Sequence, residues 1–210
     1  MLITFEGPEG SGKTTQIGLL HEALQNSGHA CLKLREPGST PIGLELRSIL
    51  LERGLHVAPI TEALIFCAAR YEMVQTLVLP AIAAGTIVLC DRYTDSTLVI
   101  QGYGRDADLA TLRTLTTISS IGLVPDMTIM LDVMPHVGYG RKKQQNDLND
   151  FDARTLLVGD NYRAGYRDLM SIDPARWRYI APDTPIEETA DRIWQWVIGH
   201  PKLQMAPATR

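Results

Sequence analysis

The stretch that decides the fold lies near the amino terminus and reads Gly7-Pro8-Glu9-Gly10-Ser11-Gly12-Lys13-Thr14. It matches the pattern G-x-x-x-x-G-K-[ST], in which backbone N–H groups of a glycine-rich turn surround phosphate oxygens. An apolar run at residues 2–6 comes directly before it, and apolar residues at helical spacing follow it over residues 13–26. A strand, a glycine-rich turn and a helix in this order indicate a binding loop for a nucleoside triphosphate. The pattern does not indicate which molecule receives the phosphate.

Two side chains in this region indicate how the phosphates and a metal ion are bound. Lys13 can reach the β- and γ-phosphates, and the hydroxyl of Thr14 can bind Mg²⁺. A second apolar run, residues 86–90, ends at Asp91 and resembles the Walker B segment, whose carboxylate serves the magnesium ion. We therefore predict Thr14 and Asp91 as metal ligands. ATP contacts are predicted at Gly7, Pro8, Glu9, Gly10, Ser11, Gly12, Lys13, Thr14 and Thr15. The simpler alternatives are a glycine-rich turn that matches by accident and a strand that merely ends in aspartate.

Apolar runs alternate with helical patterns along the rest of the chain. Strands are predicted at residues 2–6, 30–34, 86–90, 127–131 and 177–180, and helices at residues 13–26, 42–52, 60–84, 109–121, 163–172 and 186–198. This alternation predicts the α/β class, as a three-layer P-loop NTPase fold with a five-stranded parallel sheet flanked by helices. Ligands bind past the carboxyl ends of the strands in such sheets, so Gly7, Asp91 and Asp132 are expected on one rim.

The length and composition limit the class of protein further. A chain of 210 residues with 45% hydrophobic residues suits one compact domain, which we place at residues 1–199. Within it, the polar run at about residues 141–154 predicts a mobile lid loop, and residues 200–210 predict a flexible tail. The formal charge of −4 argues against a broad nucleic-acid-binding surface. The three cysteines form no C-x-x-C pair and indicate reduced thiols in the cytoplasm. No signal peptide is found, and no apolar run of the length of a membrane span is expected.

Further motifs distinguish P-loop proteins from one another. Arg35-Glu36-Pro37-Gly38 follows the second predicted strand, Phe66 and Arg70 share one helix face, and Asp91-Arg92-Tyr93 ends the third strand, followed by Ser96 and Gln101-Gly102. In this order and spacing, the motifs resemble those of the bacterial type of thymidylate kinase, within the P-loop nucleoside monophosphate kinases. The resemblance runs from Leu2 to about Ile198, and residues 6–15 fit that family's E-G-x-E-G-x-G-K-T-T loop without interruption.

The resemblance implies a reaction and a set of roles. The reaction is transfer of the ATP γ-phosphoryl to dTMP, giving dTDP and ADP, with Mg²⁺ and by a homodimer. The implied catalytic residues are Lys13, Arg92, Asp91, Glu9 and Arg141, of which Arg141 begins the lid. The implied acceptor-binding residues are Glu9, Arg35, Pro37, Phe66, Arg70, Arg92, Ser96, Thr97 and Gln101. Among these, Phe66 stacks on thymine, Arg70 contacts a base carbonyl, Arg35 and Arg92 hold the acceptor phosphate, and Glu9 approaches the 3′-hydroxyl.

Simpler interpretations of the same side chains stay open at this point. Phe66 on an apolar helix is more often a core residue than a ligand contact. Arg70 can be a surface residue whose stem lies along apolar neighbours. Arg35 and Arg92 can form surface salt bridges at strand ends.

Three departures from the family pattern keep two other functions open. Ile100 stands where the family usually has a tyrosine that crowds the sugar 2′ position, which leaves Tyr103 as a substitute. Ser39 replaces a second glycine after Arg-Glu-Pro-Gly. The lid lacks the family's arginine motif, so we expect reduced turnover unless Lys142, Lys143 or Arg163 compensates. The alternatives are a kinase of another, modified pyrimidine monophosphate and a nucleotide-binding regulatory protein with weak catalysis.

Overall fold

A single parallel sheet organises the chain. The structure is a computed structural model and describes residues 1–51, 57–144 and 150–204. Its strands are β1 (Leu2–Glu6), β2 (Cys31–Arg35), β3 (Ile87–Asp91), β4 (Met127–Leu131) and β5 (Trp177–Ile180), in the spatial order β2-β3-β1-β4-β5. All neighbouring pairs are parallel. The predicted five-stranded parallel sheet is confirmed, with β2 and β3 each displaced by one residue from their predicted positions.

Helices cover both faces of the sheet. They are α1 (Lys13–Asn26), α2 (Pro41–Leu51), α3 (Pro59–Met73), α4 (Leu79–Ala83), α5 (Thr94–Thr97), α6 (Leu109–Ser119), α7 (Pro135–Gln144), α8 (Asp150–Ile172), α9 (Ile186–Ile198) and α10 (Pro201–Gln204). Two π-helical segments, Val74–Val78 and Leu98–Tyr103, follow α3 and α5 without a break.

The three-layer arrangement follows from the alternation of side chains along the strands. Ile3 and Phe5 of β1 pack with α1 and α9 on one face, whereas Leu2 packs with Met73 and Val74 on the other. Every residue of β1, β3 and β4 is buried, because both faces of these strands are covered. The predicted α/β class and layer order are therefore confirmed.

The carboxyl ends of the central strands meet at one edge of the sheet. Phe5 lies opposite Asp91 in the register of β1 and β3, and Glu6 lies opposite Met130 in the register of β1 and β4. The loop after β1 therefore lies between the ends of β3 and β4, as expected for a ligand site in such a sheet.

The long apolar helix differs from its sequence prediction. The continuous helix Pro59–Ala83 is long and apolar enough, by length and composition alone, to cross a membrane, although Glu62, Arg70 and Glu72 interrupt its apolar residues. Only 33% of its most apolar window is buried. Met73, Val74 and Val78 pack against the sheet, whereas Leu64 and Tyr71 are nearly half exposed. The helix is thus one covering layer of the sheet with an exposed outer face.

The lid and tail are more regular than the sequence predicts. Residues 141–144 belong to α7 and residues 150–154 to α8, so the expected loop is wrong for these residues, and residues 145–149 lie outside the described residues. The expected tail begins with α10, whose Leu203 packs into the core while Lys202 Nζ donates to Asp126 Oδ1 at 2.5 Å. Residues 205–210 lie outside the described residues. Contacts with distant residues stabilise these short elements where local propensity is weak.

Helix α7 lies directly against the phosphate loop, backbone to backbone. A Cβ atom built on Gly138 would lie 2.2 Å from the Glu9 carbonyl oxygen, and one built on Gly10 would lie 2.3 Å from the Gly138 carbonyl oxygen. No real Cβ atom approaches an oxygen so closely. Any side chain at either position would push α7 away from the loop.

We expect Gly138→Ala to lower the thermal unfolding midpoint by ~2–10 °C, since overpacking costs ~1–3 kcal/mol in a chain of this size. The matched control is Gly140→Ala in the same helix, where an added Cβ would meet nothing within 4 Å. That variant should be neutral or slightly stabilised, because alanine favours a helix over glycine. Calorimetry or circular dichroism measures both midpoints, and equal midpoints would contradict the close packing.

Candidate active site

A cleft of about 730 Å³ lies past the carboxyl ends of β1, β3 and β4. Most of the side chains predicted from the sequence border it: Glu9, Gly10, Ser11, Gly12, Lys13, Thr14, Thr15, Arg35, Pro37, Phe66, Asp91, Arg92, Ser96, Thr97, Gln101 and Arg141. Three predicted residues do not border it, namely Gly7, Pro8 and Arg70. The cleft therefore unites residues that are far apart in sequence.

The phosphate loop is closed by backbone conformation and by the Lys13 ammonium. Gly7 has a φ of 138°, and a Cβ there would lie 2.1 Å from the Leu131 carbonyl oxygen, so only glycine fits. Lys13 Nζ donates to the carbonyl oxygens of Gly7 at 3.0 Å and Pro8 at 2.9 Å. The ammonium is thus held inside the loop, at the amino end of α1, where anions are favoured.

Burial, and then the nearby charge of Arg92, lower the pKa of the Lys13 ammonium from 10.5 to about 8. The carboxylates of Glu9 and Asp91 partly offset this shift. An anionic phosphate bound in the loop would favour the charged ammonium and raise the pKa again.

Glu9 and Arg92 form an ion pair at the centre of the cleft. Arg92 Nη2 donates to Glu9 Oε1 at 2.6 Å, and Arg92 Nη1 donates to the Gly7 carbonyl oxygen at 3.0 Å and to Ser96 Oγ at 3.1 Å. Burial alone would raise the pKa of Glu9, but the charges of Arg92 and Lys13 hold it well below its ordinary value. Glu9 is therefore an acceptor for hydrogen bonds, and Arg92 faces both halves of the cleft.

The residues expected to hold a metal ion are adjacent. The Thr14 hydroxyl donates to Asp91 Oδ2 at 3.2 Å, at the lip of the phosphate loop. This pair supplies oxygen ligands only, which is the donor set that Mg²⁺ prefers. The chemistry of the pair therefore fits a magnesium ion.

Three guanidinium groups lie close together at the border of the cleft. Arg35 at the end of β2 and Arg92 after β3 were predicted, and Arg47 on α2 was missed. Burial lowers the pKa of Arg47, and the charges of Arg35 and Arg92 lower it further, which indicates that the three groups are close. Arg47 Nη1 also donates to the Pro37 carbonyl oxygen at 3.3 Å. A lone arginine within the apolar stretch of α2 was the available sequence signal. Converging arginines of this kind bind phosphate.

Arg70 lies behind the wall of the cleft and is fully buried. It forms an ion pair with Glu36, donates to Ser119 Oγ at 3.2 Å and donates to Thr97 Oγ1 at 2.7 Å. The interpretation of Arg70 as a surface residue is therefore wrong. Its direct contact with a base stays a prediction, because in this conformation Arg70 reaches the cleft through Thr97, which borders it.

At the far end of the cleft the sequence analysis predicted Asp132 on the rim but missed the other lining residues. This end is bordered by Leu131 and Asp132 at the end of β4, by Asp183 and Thr184 after β5, and by Ile186 and Thr189 of α9. The position of residues 181–184 just past the last predicted strand could have identified them, because ligands bind at strand ends.

The cations of the lid have different positions. Arg141 Nη1 donates to the Gly10 carbonyl oxygen at 3.2 Å, and Arg141 and Lys142 both border the cleft. Arg163 instead makes two hydrogen bonds to Asp132, at 2.8 and 2.9 Å, and does not border the cleft. Of the cations expected to compensate for the missing arginine motif, Lys142 is the one that faces the site.

The structure shows the surroundings of two residues that depart from the family pattern, Ile100 and Ser39. Ile100 borders both the main cleft and a cavity of about 10 Å³ that Tyr162 and Tyr166 also line, which is room for about one water molecule. Tyr103 packs near Gly165 and does not border the cleft. Ser39 Oγ accepts from the Arg35 N–H at 2.7 Å and donates to the Arg35 carbonyl oxygen at 2.8 Å, so its side chain closes the turn.

The fold and the site together define a P-loop kinase of the nucleotide type, in which the phosphate loop and three arginine residues border one cleft. Comparison with known proteins gives the particular group. The family model described as thymidylate kinase matches residues 5–193, so the chain belongs to the thymidylate kinase family.

Full-length relatives agree with this assignment. The chain is 42% identical to a thymidylate kinase of Roseiflexus castenholzii, with 99% of this chain and 98% of that protein covered. It is 46% identical to a thymidylate kinase of Thermomicrobium roseum, with 93% of each covered. The crystal structure of thymidylate kinase from Ehrlichia chaffeensis superposes with a TM-score of 0.73 at 31% identity, covering 94% of this chain and 97% of that one.

The shifted pKa of Lys13 predicts proton uptake on binding of Mg·ATP. At pH 8 about half of the Lys13 side chains are unprotonated, and bound phosphates should cause these side chains to take up a proton from solution. At pH 6.5 almost all Lys13 side chains carry the proton already. Titration calorimetry in buffers of different ionisation enthalpy should therefore detect uptake at pH 8 that disappears in Lys13→Arg, whose guanidinium is always charged. Equal uptake by both proteins at pH 8 would contradict this pKa shift.

Proposed function

We propose that this chain transfers the γ-phosphoryl group of ATP to the 5′-phosphate of dTMP and yields dTDP and ADP. The observation that carries the proposal is the single cleft, in which the phosphate loop faces the three guanidinium groups of Arg35, Arg47 and Arg92. Membership of the thymidylate kinase family supports it. The two polyanions bind at opposite ends and meet between Lys13 and Arg92.

The reaction is a direct transfer between the two nucleotides. An oxygen of the acceptor phosphate forms a bond to the γ-phosphorus while the bond from that phosphorus to the bridging oxygen of ADP breaks. Lys13 and the loop N–H groups hold the donor phosphates, and Arg92 holds the acceptor phosphate in line with them. Arg141 and Lys142 stabilise the charge that spreads over the transferred group.

Thr14 and Asp91 would hold Mg²⁺, which when bound would neutralise charge on the donor phosphates. The 3.2 Å hydrogen bond between the Thr14 hydroxyl and Asp91 keeps the two oxygens adjacent beforehand. Asp91 would also lie near the acceptor phosphate, since Asp91 and Arg92 border the same cleft.

The acceptor half of the cleft would bind the thymidine moiety. Phe66 offers an aromatic face for stacking on the base, and Pro37 borders the same half. Ser96, Thr97 and Gln101 supply polar groups at the edge of the base. Glu9, held as a carboxylate by Arg92, would accept from the 3′-hydroxyl of the sugar.

The proposal also covers the cellular location, the oligomeric state and the partners of the enzyme. We place it in the cytoplasm as a soluble homodimer whose contact is the exposed face of α3, including Leu64 at 48% and Tyr71 at 47% exposure. Residues 1–199 act as one kinase domain, and neither nucleic acid nor membrane is a partner. Neither alternative, a kinase of another pyrimidine monophosphate or a regulatory protein with weak catalysis, is favoured by the family assignment.

Arg92→Lys should lower kcat/KM for dTMP about 100-fold, because lysine cannot hold Glu9, Ser96 and a phosphate with one planar fork. The matched control is Arg192→Lys, the same change at a half-exposed pair with Glu188, which should stay within about twofold of the parent. A coupled assay of ADP release measures both. Retention of most of the activity in Arg92→Lys would overturn the role of Arg92.

The missing arginine motif of the lid predicts a low kcat, and it predicts that an added arginine will raise kcat. With ATP and dTMP saturating, we expect kcat below ~1 s⁻¹, under the range of ~1–100 s⁻¹ that is typical of kinases. Lys142→Arg should raise kcat several-fold, because Lys142 borders the cleft and arginine presents a fork to the phosphoryl oxygens. Lys143→Arg is the matched control, since Lys143 does not border the cleft. A parent kcat within the typical range would contradict the idea of a weakened lid.

A further inference from the structure

The amide of Gln101 has one hydrogen-bonded end and one unpaired end. Gln101 lies in the π-helical segment Leu98–Tyr103, is 1% exposed and borders the acceptor half of the cleft. Its Nε2 donates to Glu62 Oε1 at 2.8 Å. Its Oε1 is buried and has no hydrogen-bond partner among the described residues. Buried amide oxygens are normally paired, so a ligand is the natural partner for this one.

Glu62 determines which end of the amide is unpaired. Glu62 is buried on α3, and its other oxygen, Oε2, accepts from Arg105 Nη1 at 2.7 Å. Arg105 is itself held by the Val57 carbonyl oxygen at 2.7 Å. A carboxylate only accepts hydrogen bonds, so the group that faces it must be the NH₂ of Gln101 and not its oxygen. A glutamine amide could otherwise rotate by 180° and exchange its donor and acceptor.

Because its NH₂ group faces Glu62, the Gln101 amide presents its oxygen, a hydrogen-bond acceptor, to the acceptor half of the cleft. We propose that Glu62 is a positioning residue that makes Gln101 an acceptor toward the bound base, so that the subsite selects a ring with an N–H donor at position 3. Thymine and uracil carry that N–H, whereas cytosine has an acceptor nitrogen there. The inference rests on the proposed function. It assigns the discrimination between pyrimidines with and without an N–H donor at position 3 to Glu62, whose side chain does not border the cleft.

Rejection of cytosine follows from the cost of two facing acceptors. A site built to pair with an N–H group leaves its own oxygen unpaired when the analogue lacks that group. The rotation that would present Nε2 to cytosine would place the Gln101 oxygen against the Glu62 carboxylate. Both orientations are therefore unfavourable for cytosine while Glu62 is charged.

Glu62→Gln tests the proposal with little change in volume. An amide at position 62 can donate or accept, so Gln101 is free to rotate and to donate to cytosine N3. The ratio of kcat/KM for dTMP to that for 5-methyl-dCMP, which keeps the thymine methyl group, should fall at least ~10-fold. Affinities for the same two nucleotides, measured by calorimetry, should show the same fall without any dependence on turnover.

Two further variants separate positioning from a structural role. Arg105→Gln removes the ion pair between Arg105 and Glu62 but keeps the Glu62 carboxylate. The free energy of unfolding should therefore fall, while the ratio of kcat/KM for dTMP to that for 5-methyl-dCMP should stay near that of the parent. Glu188→Gln makes the same chemical change at an exposed pair and should alter neither. An equal loss of selectivity in Arg105→Gln, or an unchanged ratio in folded Glu62→Gln, would overturn the proposal.

A ligand series covers the case in which Glu62→Gln does not fold. The unaltered enzyme should bind N3-methyl-dTMP at least ~10-fold more weakly than dTMP, because the N–H group that Gln101 Oε1 accepts is gone. Equal affinities would overturn the inference while leaving the kinase assignment intact. Absence of phosphoryl transfer to dTMP by the unaltered enzyme would instead refute the proposed function, and the affinities of Glu62→Gln for dTMP and 5-methyl-dCMP would still test the role of Glu62.

Discussion

The guanidinium group of Arg92 joins the two halves of the active-site cleft, and the arrangement of both halves depends on it. It contacts the Gly7 carbonyl oxygen and Glu9 on the donor side and Ser96 on the acceptor side. Its φ of 71° lies in the left-handed region, which costs a non-glycine residue about 1–3 kcal/mol. A hydrogen bond of 2.9 Å from the Arg92 N–H to the Phe5 carbonyl oxygen holds this conformation. The end of the sheet therefore turns Arg92 into the cleft.

Beneath the cleft lies a layer of buried charged groups that hold its polar wall in place. Burial and the nearby charge of Asp95 raise the pKa of Glu6 to about 7, and Glu6 accepts from the Tyr93 N–H and the Ser96 hydroxyl. Buried charges are tolerated only when their partners are in place, so each pair restricts the positions of its neighbours. The same logic applies to Arg70, which holds Thr97, and to Glu62, which orients Gln101.

How far the fold could be predicted depends on how local its determinants are. Strands β1 and β4 and helices α1 and α9 have the predicted bounds, because a continuous apolar run or a 3.6-residue apolar period lies within the element itself. Helix α7 was missed, because its sequence is polar and it is supported by backbone contact with the phosphate loop. Leu203 was placed in a tail for the same reason, since its partners belong to the core formed by the sheet and α9.

The sequence by itself determined the phosphate loop, the alternation of strands and helices, and the rim on which Lys13, Asp91 and Arg92 meet. These follow from motifs of a few residues and from the rule that parallel strands end at one edge. Only the tertiary structure decided that Arg70 lies behind the wall of the cleft, that Arg47 lies close to Arg35 and Arg92, and that Glu62 accepts a hydrogen bond from Gln101. The hydrogen bonds from Arg70 to Thr97 and Ser119, and from Gln101 to Glu62, join residues that are 27 to 49 positions apart. Such pairs depend on the packing of α3 against other segments, which no local pattern specifies.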